Sequence, residues 1–446
     1  MLISELAKTR VGLLGLGREG LATLAALRSA GHHDDVYLFA DVAPGNLPPG
    51  CCYVPLEEVP RAASNLDIVI RSPGFAPTHP LRQIIDSARC RQTTATQTFL
   101  HEARDASVEV IGITASKGKS TTSTLAHACL LAAGRSSVLV GNIGQPAIEL
   151  LDRVLREKPV VVMELSSYQC ADLIPGYGPS LASLGALFPE HLDYHGSLEA
   201  YIDAKLNIAR TQRLSDALVC HADSLPKASS LELLQEIELV NNESVLHFKG
   251  GWFFDGETKL VPDDHMHLLG THNRANACIA FALARRFGAT PTHLESVLSE
   301  FRGLPFRLEA EGLIGGISWV NDSISTAPEA TAAALEALGG KVNTLIAGGY
   351  ERGYDPRAMA EAIIEHQVRD VILLPDTGAV IGACLSQRGR DSGIYLVASL
   401  EEAVQLASRV TPLGSTCLLS PGAPSYNAFS SFEERGLEFR RCIGLL

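Results

Sequence analysis

The chain has 446 residues, 46% apolar, 20% charged and 6% aromatic, the make-up of a globular enzyme too long for one core, so two or three domains are expected. A net charge of −13, from 37 basic and 50 acidic residues, argues against a general nucleic-acid or anionic-membrane surface but leaves room for a local basic pocket. No apolar run approaches the roughly 18 residues of a membrane helix, the first residues lack the order of a signal peptide, and the ten cysteines show no metal spacing, so reduced thiols in a cytoplasm are expected.

Short apolar runs alternate with helical patterns along the chain. "RVGLLGLG", "DVYLFAD" and "DIVIRSPG" form a first set within residues 1–97. "VEVIGIT", "SSVLVGNIG" and "VVVMELSS" belong to a second within 98–304. "TLIAGGY", "DVILLPD" and "TCLLSPG" belong to a third within 305–446. Runs this short, closing in Gly, Pro or Ser, suit buried parallel strands whose carboxyl ends open into ligand-binding loops. The helices between them close on glycines that suit C-caps. This is an α/β pattern. Residues 214–262 break the rhythm and predict a small β insertion in the middle set.

In "VGLLGLGREG" a strand runs into Gly15, Gly17 and Gly20, and Asp41 ends the next strand at the distance of a ribose-binding acid. Such a turn lets a phosphate approach a helix N-terminus. On its own it fits a nicotinamide oxidoreductase, another nucleotide or a plain strand–helix turn.

"ITASKGKSTTS" carries Gly118-Lys119-Ser120, the glycine, lysine and hydroxyl of a phosphate cradle. The first glycine of a Walker loop would fall at Ile113, and Gly112 sits one place too early. Backbone N–H groups and Lys119 could still surround a triphosphate, with Ser120 or Thr121 reaching Mg²⁺. "VVVMELSSYQ" ends an apolar strand on Glu164, a carboxylate that is expensive to bury unless a cation meets it, and Mg²⁺ beside a nucleotide is an economical partner. "PEHLDYHGSLEAYIDAKLNIAR" adds His191, Asp193 and Lys205, whose roles spacing leaves open.

With "GTHNRANACIA", "LPFRLE", "NDSISTAPEAT", "RGYD" and "SPGAPSYNAFSSFEERG" added, the motifs resemble, in order and over essentially the whole chain, those of the Mur ligases, most closely the MurD-type branch. That resemblance implies an N-terminal Rossmann-like UDP-binding domain, a central P-loop ATPase-like domain and a C-terminal Rossmann-like domain. It also explains the loop: the family uses Gly-x-x-Gly-Lys-Ser/Thr-Thr, here Ala115-Ser116-Lys117-Gly118-Lys119-Ser120-Thr121, with alanine for the first glycine. The substitution is tolerable if φ at Ala115 is negative and strained if it is positive.

The resemblance further implies ATP and Mg²⁺ as cofactors, and UDP-N-acetylmuramoyl-L-alanine and glutamate as substrates. Lys119 would be catalytic, with Glu164, His191, Ser120 and Lys205, the last as a carbamate, holding metal. Asn273, Arg307 and Asp322 would hold the nucleotide. Ser72, Pro73, Gly74, Asn142, Ser166 and Gln169 would contact the UDP-sugar peptide, whose phosphates the Gly15–Gly20 turn would take, with Asp41 nearby. Thr326, Arg352, Ser425, Tyr426 and Phe432 would receive glutamate. Ile324 and Arg352 stand where the family commonly has lysines. Arginine grips a carboxylate through two parallel bonds, so charge is kept and geometry is not. Together these departures resemble a subgroup that adds L-glutamate, with D-glutamate as the alternative. A cytoplasmic monomer with no nucleic-acid or membrane partner is expected.

Overall fold

The computed structural model describes residues 1–44, 46–88, 90–224, 235–264, 266–268, 271–351 and 355–444. The chain divides into two compact units, Met1–Phe301 and Arg302–Leu446. The first holds two sheets and the second holds one.

The N-terminal sheet joins β1 (Val11–Leu14), β2 (Val36–Phe39), β3 (Cys51–Tyr53), β4 (Ile68–Arg71) and β5 (Arg91–Thr93), all parallel, in the order β3-β2-β1-β4-β5. Winding reverses between β1 and β4, so the loops after these two strands, Gly15–Gly20 and Ser72–Gly74, lie side by side. A doubly wound sheet binds its ligand at such a point.

The central sheet contains β6 (Val110–Thr114), β7 (Ser137–Gly141), β8 (Val160–Glu164), β9 (Leu181–Leu184), β10 (Ala217–His221), β11 (Glu236–Val240), β12 (Leu246–Lys249), β13 (Trp252–Asp255) and β14 (Thr258–Pro262). Its order is β14-β13-β12-β11-β10-β9-β6-β8-β7. Alternate residues of each strand face opposite ways. Ile111, Ile113, Val160 and Val162 pack with Leu125 and Cys129 against one helical layer, and Val110, Val161 and Met163 pack with Phe99 and Ile208 against the other. Burial on both faces explains the near-continuous apolar runs. The β-rich stretch near 214–262 continues this sheet: β10 and β11 extend it in parallel, and β12–β14 finish it as an antiparallel edge. Gly250 and Gly251, both at positive φ, make the tight β12–β13 turn.

In the second unit β15 (Glu309–Ile314) pairs antiparallel with β16 (Ile317–Asn321). β17 (Val342–Gly349), β18 (Asp370–Asp376), β19 (Ile394–Leu396) and β20 (Thr416–Leu419) complete the order β15-β16-β20-β17-β18-β19. Because β20 lies between β16 and β17, the "NDSIS", "GGY" and "SPGAPS" loops leave neighbouring strands.

Candidate active site

Strand order assembles the candidate phosphate site. β6 runs between β8 and β9, so the 115–118 loop, Glu164 and the 185–191 segment all leave adjacent strand ends. Gly118 has φ +85, and a Cβ there would lie 2.4 Å from Asn276 Oδ1. Only glycine suits that corner. Helix Lys119–Ala132 starts directly after it. Lys119 Nζ curls back to the carbonyls of Ala115 (3.1 Å) and Ser116 (3.0 Å), and burial lowers its pKa.

Ala115 is absent from the residues at positive φ, so the condition for tolerating alanine is met. Its methyl is accommodated by Gly185, where an added Cβ would come within 2.7 Å of it. Ser116 is buried, its hydroxyl paired with Tyr201 Oη (2.6 Å) and held at Phe188, so its side chain anchors the loop. Lys117 reaches Glu190 Oε1 at 2.5 Å. Burial pushes Glu190 up, and Lys117, Lys119 and His191 outweigh it and hold the carboxylate low.

Lys205, on helix Leu198–Arg210, is 1% exposed and donates to Thr114 Oγ1 (3.1 Å) and Ala115 O (2.8 Å). Two lysines therefore share the Ala115 carbonyl. Burial, then the neighbouring Lys119 charge, push Lys205 down to about 8. Glu164, also 1% exposed, accepts from Asn142 Nδ2 (2.9 Å) through Oε1, while its Oε2 is buried with no hydrogen-bond partner among the described residues. An orphaned carboxylate oxygen beside a phosphate loop is what a magnesium–nucleotide site requires. His191 has φ +54, its ring 5.2 Å from Tyr168 and 6.4 Å from Tyr201. Among the described residues no three His, Cys, Asp or Glu side chains gather as a metal cage, so the fit is to an ion completed by phosphates and water. The Asp193 side chain lies outside the described residues.

Asn273 is brought to the loop by the first turn of helix Thr271–Arg285, where its Oδ1 accepts from Asn276 Nδ2. Asn276, against Gly118, escaped the sequence reading although "NRAN" places it one turn from Asn273.

Beside the phosphate site a cavity of about 180 Å³ is lined by Pro73, Asn142, Ser166 and Gln169, all expected, and by Arg18, Glu19 and Thr96, which were not. Asn142 belongs to this cavity and to Glu164, joining the two sites. Gly15 has φ +94, and a Cβ on Gly20 would lie 2.4 Å from Gly15 O, so both glycines are required by the turn. Gly17 precedes helix Arg18–Ser29. Gly15, Gly17, Gly20, Asp41, Ser72 and Gly74 do not line the cavity, and Asp41 is exposed beside His79 (3.4 Å). Periodicity locates a strand end but not the direction of its last side chain.

In the second unit Arg307 lies between Phe306 (φ +61) and Leu308 (φ +44), a strained turn of the kind that marks functional positions. Leu308 N and Ser420 Oγ donate to the two oxygens of Asp322, whose pKa burial raises. Gly422 N donates to Ser325 O (2.9 Å), tying the loop bearing Thr326 to that bearing Ser425. Ser425 is buried. Tyr426 is exposed with its ring 6.3 Å from Tyr350, and the Phe432 ring is 6.5 Å from Phe306. Arg352 lies outside the described residues.

Residues 113–284 match the family model for the Mur ligase middle domain. Over its full length the chain is 36% identical to a UDP-N-acetylmuramoyl-L-alanine–L-glutamate ligase of Xylella fastidiosa, covering 97% of that protein. It is 34% identical to one of Salinispora tropica, covering 99% of each chain. Two solved structures from Thermotoga maritima share the fold. A UDP-N-acetylmuramate–alanine ligase aligns with a TM-score of 0.59 at 19% identity, covering 97% of this chain and 99% of that one. A MurF ligase in complex with ADP aligns with 0.55 at 15%, covering 99% and 96%. The nicotinamide alternative for the glycine turn gives way to this relationship: with its phosphate loop, its bare carboxylate and its full-length kin, the chain belongs to the Mur ligase family, in its MurD-type branch.

Proposed function

We propose that the protein is an ATP-dependent ligase that joins L-glutamate to UDP-N-acetylmuramoyl-L-alanine through an acyl phosphate, a step of peptidoglycan precursor synthesis. The observation that carries this reading is the Asn142–Glu164 bond, which couples a phosphate-binding loop to the cavity beside it. A carboxylate and an amine do not condense in neutral water. Phosphorylation of the alanine carboxylate supplies a good leaving group, and attack by the glutamate amine then expels phosphate.

Lys119 is placed to offset charge on the transferring phosphoryl oxygens. Glu164, with Ser120, His191 and Lys205 as a carbamate, would hold Mg²⁺, which when bound neutralises triphosphate charge. A lysine titrating near 8 carries a substantial neutral fraction able to add CO₂, and this supports the carbamate. Asn273 with Asn276, Arg307 and Asp322 are read as nucleotide contacts. Pro73, Asn142, Ser166 and Gln169, with Ser72, Gly74 and the Gly15–Gly20 turn, are read as contacts of the UDP-sugar peptide. Thr326, Arg352, Ser425, Tyr426 and Phe432 are read as receiving glutamate. The L configuration rests on the departures at Ile324 and Arg352 and on the relatives, which are named L-glutamate ligases. All ten cysteines are free, as suits a reducing compartment.

The test is phosphate release and product mass with D- and L-glutamate in parallel. Release requiring ATP, the UDP-sugar and L-glutamate together, and lost in Lys119→Ala by about a thousandfold, is expected. Phosphate release without the UDP-sugar would refute the reading. Equal or better use of D-glutamate would refute the stereochemical part alone.

A further inference from the structure

Glu19 stands apart from the groups assigned above to ATP, metal or glutamate. It is the second residue of helix Arg18–Ser29, in the "GREG" portion of the glycine turn, and it is half-buried because one side opens into the cavity. Thr96 Oγ1 donates to its Oε1 (3.2 Å), and Gln169 Nε2 in turn donates to Thr96 Oγ1 (3.1 Å). Gln169 Oε1 accepts from Ser166 N and Ser166 Oγ. A file of polar groups thus runs from the glycine turn across the cavity wall to the Ser166 cap, and Glu19 is its terminus.

The other lining residues are neutral except Arg18, which donates to Gly144 O at 2.5 Å. Asp172, which ends helix Ser167–Ala171, is spent on Arg71 at the end of β4. Glu164 stands behind Asn142. With Glu19 ionised, the charge of Arg18 is cancelled. With Glu19 protonated, the lining carries one net positive charge and one additional donor. A diphosphate approaching this helix N-terminus favours the second state.

We propose that Glu19 is a binding residue of the nucleotide-sugar site and engages its ligand as the protonated acid, Thr96 steadying Oε1 while the carboxyl proton is donated to an anionic oxygen of the diphosphate. This rests on the reading of the cavity as the UDP-sugar site. Burial raises the Glu19 pKa, with Asp172 adding to the rise and Thr96 and Gln169 opposing it. Affinity is therefore full while Glu19 is protonated in the free protein. It falls by up to tenfold per pH unit once Glu19 must take up a proton to bind.

The test is calorimetric binding of UDP-N-acetylmuramoyl-L-alanine, whose diphosphate diester does not titrate in the range, between about pH 5 and pH 9. It is run on the whole protein in buffers of differing ionisation enthalpy. The wild type should weaken with pH and take up a proton on binding. Glu19→Gln, which keeps shape and a donor, should bind with a flatter profile and no uptake assignable to this site. Thr96→Val removes a bond that favours the ionised form, so its fall should move to higher pH. If Glu19→Gln keeps the wild-type profile and proton uptake, the proposal is overturned. It is equally overturned if the variant loses tenfold or more at every pH, since the carboxylate would then be acting as an acceptor. Failure of the wild type to bind the nucleotide sugar at any pH would bring down the underlying reading, and this inference with it.

Discussion

At the scale of single residues the site is defined by charges kept in uncomfortable places. Lys205 is nearly inaccessible, faces a second lysine across one carbonyl and, among the described residues, bonds to a hydroxyl and a carbonyl rather than to a carboxylate. A lysine pushed down to about 8 favours the unfolded chain, which binds the proton more tightly. That penalty is present in full below about pH 8 and is relieved as pH rises toward the ordinary lysine value. Its size is at most about 3 kcal/mol, and the two hydrogen bonds recover about 1 kcal/mol each. Lys205→Met in CO₂-free buffer is therefore expected to stabilise the apoprotein at neutral pH by about 1 kcal/mol while abolishing ligation. Denaturant melts at pH 7 and 9 check this, the wild type gaining on the variant at the higher pH. Residues such as Lys119 and Glu164 were legible in the sequence because a lysine after glycine and an acid ending an apolar strand are chemically conspicuous. Glu19 and Thr96 were not, because a polar residue in a helix's first turn is ordinary until a cavity is seen beside it.

At the scale of elements, the altered phosphate loop keeps its shape because a neighbouring strand end yields space. Ala115 fills volume that an alanine at 185 would also need. Gly185→Ala should thus destabilise by about 1–3 kcal/mol and weaken ATP binding. Adding Ala115→Gly should restore most of both, giving a coupling energy of about 1 kcal/mol or more in a double-mutant cycle. Additive effects would mean that the two positions do not share this space. The departure at Ala115 was visible in sequence; the compensation was not, because 185 is distant in the chain and nothing in "SLGAL" singles out its glycine. The turn around Arg307 has the same character. "LPFRLE" can be read as a motif, yet two consecutive-but-one residues at positive φ emerge only from Phe306 N meeting Glu309 Oε2 and Leu308 N meeting Asp322 Oδ1.

For the whole molecule, strand rhythm was enough to give three α/β sheets, since burial on both faces writes itself as uninterrupted apolar runs. It could not give strand order, which is what sets the 115–118 loop, Glu164 and the 185–191 segment together. All residues lining the cavity beside Asn142, proposed to take the nucleotide sugar, lie within Met1–Phe301, a compact unit with its own cores. A chain ending at Phe301 should therefore fold cooperatively and bind UDP-N-acetylmuramoyl-L-alanine within about threefold of the full-length Kd. It should form no amide, because Thr326, Ser425 and Phe432, the residues proposed to receive glutamate, belong to the other unit.

The central claim is that ATP activates the alanine carboxylate. UDP-N-acetylmuramoyl-L-alanine carrying ¹⁸O in that carboxylate, turned over with ATP and L-glutamate, tests it by mass spectrometry of the released phosphate. Transfer of one labelled oxygen into phosphate for each amide formed is the predicted result. Phosphate free of label, with amide accumulating, would contradict it.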